Sequence, residues 1–207
     1  MEISTLFAFL GAAIILTIMP GPDNLFVLAQ SITQDKKAGI ATSLGLCTGL
    51  LVHISAAVLG ISAIIYQSTI IFSIVKFAGA AYLLYLAWQS FRAKGDPFSL
   101  QQQNVQAYVK LYKKGILMNI LNPKVSLFFL ALLPQFVHPS QGHVALQMLI
   151  LGIVFLVQAL VLFILFSLFA GKVRNVIIGQ PVIAKRLNMI QGILFIFIGI
   201  QIAISKQ

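Results

Sequence analysis

Apolar residues fall into six long stretches, at about 3–32, 38–65, 69–91, 114–137, 144–171 and 187–205, separated by polar runs. A helix rising ~1.5 Å per residue crosses the hydrocarbon layer in roughly 20 apolar residues, so each stretch is long enough to be a membrane span. The longest polar run, about 92–113, carries Gly95-Asp96-Pro97 and Gln101-Gln102-Gln103, turn formers with little apolar periodicity. The pattern predicts an all-α membrane protein with a single transmembrane domain over 1–207. Three spans lie in a first repeat (about 1–91) and three in a second (about 114–207), joined by a cytoplasmic linker over about 92–113. An odd number of spans per half makes the two repeats inverted.

Spans one and four are interrupted. The first contains Met19-Pro20-Gly21-Pro22-Asp23-Asn24 and the fourth Asn119-Ile120-Leu121-Asn122-Pro123-Lys124. With Gly21 and Asn122 as N-caps, Pro22 and Pro123 take the first helical position, where the missing N–H costs nothing. Asp23 and Lys124 then occupy the second position of two half-helices. Each half-helix start offers unpaired N–H groups and a partial positive charge. An ionisable group at this depth costs at least ~2.5 kcal/mol, and interrupted spans at matching places in two halves point to a transport site. N–H groups and a lysine for a carboxylate, with Asp23 for an ammonium, suit a zwitterion. Alternatively the prolines are simple kinks relieved by neighbouring helices and local water, a reading that leaves the adjacent charges unexplained.

Composition excludes a soluble globule, since 59% of residues are hydrophobic and 9% charged. The net charge of +10 does not call for a nucleic-acid partner, because the basic residues are sorted by loop. Lys36 and Lys37, then Arg92, Lys94, Lys110, Lys113 and Lys114, then Lys172, Arg174, Lys185 and Arg186 all fall between spans on one side. The opposite loops, at Tyr66–Thr69 and His138–His143, contain no lysine or arginine. The positive-inside rule makes the basic side cytoplasmic and both termini periplasmic. Glu2 and the lack of a basic leader argue that the first stretch is a span and not a cleaved signal.

Other polar residues within spans have open roles. Lys76 either snorkels outward or turns inward to Asp23 or an anionic substrate group. His53 shares a face with Gly45 and Gly49 and reads as a hydrogen-bonded packing residue more readily than as a proton relay. Gln158 and Gln191 line a cavity or bridge helices. The Gly45/Gly49 face packs either within the chain or against another copy, which leaves a homo-oligomer open. Cys47 reads as a small packing residue. No metal or cofactor is expected, since one buried carboxylate and one histidine make a poor cation cage. No hydrolytic motif occurs, so an enzyme is not expected.

Several motifs carry a family resemblance. Pro20-Gly21-Pro22-Asp23-Asn24-Leu25, the glycines Gly39, Gly45 and Gly49, Lys76 with Gly79-Ala80-Ala81-Tyr82-Leu83, Lys114-Gly115, Leu121-Asn122-Pro123-Lys124 and Leu133-Pro134-Gln135-Phe136 together resemble the LysE/RhtB group of the lysine-exporter superfamily. The resemblance implies efflux of an amino acid or close derivative across the bacterial inner membrane, driven by protons. On that reading, their positions in the spans make Asp23, Asn24, Lys76, Asn119, Asn122 and Lys124 the expected substrate ligands, with Asp23 also the proton-coupling candidate. A passive channel for small polar solutes is the alternative, because paired half-helices also line pores. A charged pair at mid-depth argues against it.

Overall fold

The computed structural model describes residues 2–19, 21–61 and 106–172, with single helical positions within 73–92 and 186–204. Pro20, Lys76, Gln191, residues 93–105 and most of spans three and six lie outside the described residues. What is described is helical, without strands: α1 (Ile3–Ile18), α2 (Pro22–Thr33), α3 (Lys36–Ala56), α4 (Tyr108–Ile120), α5 (Pro123–Leu127) and α6 (Val144–Leu168). A π turn over Ala57–Ile61 extends α3, and π and 3-10 turns carry α5 on to Phe136.

Both α3 with its extension and α6 are long and apolar enough to cross a membrane. The α1–α2 pair, bent by 55°, and the pair formed by α4 and the segment from Lys124 to Phe136, bent by 54°, each reach that length together. These four units correspond to expected spans one, two, four and five. One boundary differs. Helix α4 begins at Tyr108, so Lys110, Lys113 and Lys114 lie on a helix and not in a loop. Its buried residues Leu111, Gly115 and Asn119 recur every four positions, so the helical face continues beyond the apolar run that marked the span.

Helix α3 is the hub, packing on α2, α4 and α6. Its contact with α4 is close because glycines face backbone. A Cβ at Gly45 would collide with the Tyr112 carbonyl, and one at Gly115 would lie 2.7 Å from the Thr42 carbonyl oxygen. The Gly45/Gly49 face therefore packs within the chain. Cys47 is buried on the same helix. On α6, Gln147, Leu151, Phe155, Gln158 and Ser167 are buried, while Leu146, Ile150, Ile153, Val157, Val161 and Leu165 are exposed. An apolar stripe turned outward suits contact with lipid.

The helix ends are tied in two groups. At one end Gln34 Nε2 donates to the Gln106 carbonyl at 2.9 Å, Gln106 N–H donates to Gln34 Oε1 at 2.9 Å, and Tyr108 donates its hydroxyl to Asp35 at 2.7 Å. Asp35 also caps α3 through the Ala38 N–H. The Tyr108 hydroxyl, followed by that N–H, holds the Asp35 carboxyl below its ordinary range. Ser43 on α3 meets Ser167 near the end of α6 here. Lys36, Lys37, Lys110 and Lys172 thus share this end. At the other, Thr5 lies 3.4 Å from His138, whose backbone is bonded to Gln147.

Candidate functional site

Where α1 stops, its last turn leaves four carbonyls without helical partners. The N–H of Met19 still reaches the Ile15 carbonyl, but Pro20 and Pro22 have no N–H to offer Leu16 and Ile18. Two side chains take over. Asn24 Nδ2 donates to the carbonyls of Thr17 (2.6 Å), Met19 (2.9 Å) and Ile18 (3.2 Å). Lys124 Nζ donates to those of Leu16 (2.9 Å) and Met19 (3.2 Å). A cation at a helix C-terminus is also favoured by the macrodipole.

The second gap is arranged in the complementary sense. Gly21 is the N-cap of α2, Pro22 its first residue, and Asp23 lies in its first turn, 5% exposed. Its Oδ2 accepts from Asn119 Nδ2 at 2.9 Å and its Oδ1 from Asn122 Nδ2 at 2.8 Å. Asn122 is the N-cap of α5, its Oδ1 accepting from the Lys124 N–H. Asp23 therefore reaches into the gap that precedes Lys124, and Lys124 into the gap that precedes Asp23. Carboxylate meets amide donors; ammonium meets carbonyl acceptors. Of the expected ligands, Asp23, Asn24, Asn119, Asn122 and Lys124 come together, while Lys76 lies outside the described residues.

These side chains border one cavity of about 30 Å³, room for roughly two water molecules. Its polar wall is Thr17, Asp23, Asn24, Asn119, Asn122 and Lys124, and its apolar wall includes Leu50, Val125, Phe155, Ala159 and Phe163. Phe155 packs tilted against Phe128 at 4.7 Å and edge-on against Phe129 at 5.3 Å, and Phe9 joins Phe128 at 5.9 Å. His53 stacks on Phe129 and donates from Nε2 to the Asn119 carbonyl at 3.0 Å, the bonded packing role read from its position. Gln158 bridges helices, donating from Nε2 to Thr17 Oγ1 at 2.9 Å. No group of metal-ligating side chains occurs among the described residues.

Sequence reasoning missed Thr17 and the role of the α1 carbonyls. The available signal is chemical: two prolines after a helix guarantee carbonyls needing donors. Asn24, an expected ligand, borders the cavity and gives its amide hydrogens to α1.

An opposed carboxylate and ammonium in two interrupted apolar helices, bordering a small cavity, define a membrane transport protein. Residues 14–206 match the LysE type translocator family, and the chain belongs to that family, whose members are transporters and not enzymes. It is 35% identical to the homoserine/homoserine lactone efflux protein of Salmonella typhimurium, over 97% of each chain. It is also similar to two membrane proteins: YrhP of Bacillus subtilis, at 34% identity over 97% of this chain and 99% of the relative, and one from Vibrio cholerae, at 31% over the full length of both. No solved structure matches.

Proposed function

We propose that the protein exports an amino acid or close derivative across the bacterial inner membrane in exchange for protons, by alternating access. Six spans form two inverted repeats, with both termini periplasmic. The observation that carries this reading is the reciprocal reach of Asp23 and Lys124 across two helix gaps into the wall of one cavity. The homoserine efflux relative supports a small zwitterion as solute.

Asp23 takes the substrate ammonium. Each of its oxygens accepts one amide hydrogen, and a carboxylate has about four acceptor sites, so roughly two remain. A proton arriving from the periplasm competes for the same carboxylate, which releases the ammonium; coupling needs only that competition. Lys124, with the second amide hydrogen of Asn122, takes the carboxylate end. The cavity is smaller than an amino acid, so loading requires the helices around the two gaps to part. That requirement supports a carrier over an open pore.

The test is counterflow in proteoliposomes, with homoserine as first solute. Asp23→Asn keeps the volume but turns an amide donor toward the Asn119 and Asn122 donors. It should abolish proton-dependent counterflow while the protein still inserts. Undiminished proton-driven export by this variant would falsify the assignment.

A further inference from the structure

The cavity has two kinds of wall, and they come from different helices. Its polar side chains all belong to the two interrupted units, whereas α3 and α6 contribute only Leu50, Phe155, Ala159 and Phe163. Several of the polar groups are already engaged. The Thr17 hydroxyl donates to the Ala13 carbonyl, and the Asn24 amide gives its hydrogens to α1. Asp23, Lys124 and the second amide hydrogen of Asn122 are left to hold the two charged ends of a zwitterion. A solute held by those ends has only the apolar wall for its side chain.

That wall is the continuous part of the site. Helix α6 runs unbroken from Val144 to Leu168. It packs closely on α3, since a Cβ at Gly152 would lie 2.9 Å from the Ile54 side chain and Ser167 meets Ser43 at 3.4 Å. Phe155, Ala159 and Phe163 follow at four-residue spacing, so they stand in file on one face. Phe155 is held by Phe128 and Phe129. The alanine methyl, the smallest side chain of this wall, leaves a notch between two phenyl groups. Because Cβ has a fixed direction on a helix, atoms added at this position enter the space open to the solute.

We infer that Ala159 is a specificity residue that sets the length of solute side chain the protein carries, the side chain lying in the notch between Phe155 and Phe163. The notch takes uncharged side chains, because α3 and α6 offer no partner for a charge there. This inference rests on the function proposed above and adds to it a limit on the size of the solute.

The experiment measures counterflow of alanine, 2-aminobutyrate, norvaline and norleucine, a series growing by one methylene at a time, in proteoliposomes. One methylene in an apolar pocket is worth about tenfold or more in discrimination. Ala159→Val should therefore lower the norvaline-to-alanine ratio by at least about tenfold while alanine is still carried. Ala159→Gly, which deepens the notch, should raise the same ratio. Opposite shifts separate a size limit from general damage to the helix, and either variant serves if the other does not fold. An unchanged ratio in a recovered variant overturns the inference, as do shifts in one direction or loss of all counterflow in both. Carriage of homoserine but of no member of the series by the unaltered protein also overturns it, since a polar contact would then decide the side chain. Absence of counterflow by the unaltered protein with every amino acid tested defeats the underlying reading instead, and this one with it.

Discussion

Asp23 and Lys124 occupy equivalent second positions of two half-helices and carry opposite charges, yet neither simply neutralises the other. Asp23 takes its hydrogen bonds from Asn119 and Asn122, and Lys124 gives its own to Leu16 and Met19. Each charge holds the other's helix gap together, which gives a transporter a way to link site occupancy to the geometry of both gaps. Asn24 has a different part. With its Nδ2 on three carbonyls of α1 it serves as a cap. Asn24→Leu, close in volume, would leave the buried Thr17 carbonyl and the half-buried Ile18 carbonyl unmet, Met19 keeping Lys124, and should destabilise the protein by about 2 kcal/mol. Thermal unfolding in detergent measures this. The rise in unfolding temperature produced by saturating homoserine should be as large in the variant as in the unaltered protein. Loss of that rise, with stability unchanged, would make Asn24 a ligand after all.

Among the helices, stability at the α3–α4 contact depends on absent side chains. Gly45→Ala puts a methyl into the Tyr112 backbone carbonyl, which cannot rotate aside, and should destabilise by about 1–3 kcal/mol. Gly11, on the exposed face of α1, has nothing within 4 Å of an added Cβ. Gly11→Ala should therefore stabilise by about 0.5–1 kcal/mol through helix propensity alone. Unfolding midpoints of the two variants, measured side by side, should move in opposite directions. The glycine spacing on α3 was legible in the sequence, as were the caps at Gly21 and Asn122, because cap chemistry and four-residue spacing are local. The partner of the glycines was not legible. Nothing local in Gly45 distinguishes a second copy from Tyr112, 67 positions later. The start of α4 was hidden for another reason: hydropathy marks where a helix enters lipid, whereas Tyr108–Lys114 continues the helix beyond that boundary. Likewise Thr17 attracts no notice as a hydroxyl in an apolar stretch, and its importance comes from Gln158 on another helix.

Over the whole molecule, charge and connectivity point the same way. Hydrogen bonds from Gln34 to Gln106 and from Tyr108 to Asp35 put the Lys36–Lys37 corner beside the start of α4. The Ser43–Ser167 contact brings the end of α6, followed by Lys172, to the same end. The opposite end has Thr5 against His138 and the loop to His143, without a lysine or arginine. The positive-inside rule predicts the orientation proposed above for such a body: Lys37 inside, Ser140 outside and the N-terminus with it. Only one cysteine occurs, the buried Cys47, so a Cys47→Ser background leaves no native thiol to react. Both test positions are exposed. In intact cells a membrane-impermeant maleimide should label Ser140→Cys readily and Lys37→Cys only after permeabilisation. The reverse pattern would place the basic end in the periplasm. Protons would then approach the Asp23 gap from the other side, and the proposed export direction would have to be inverted.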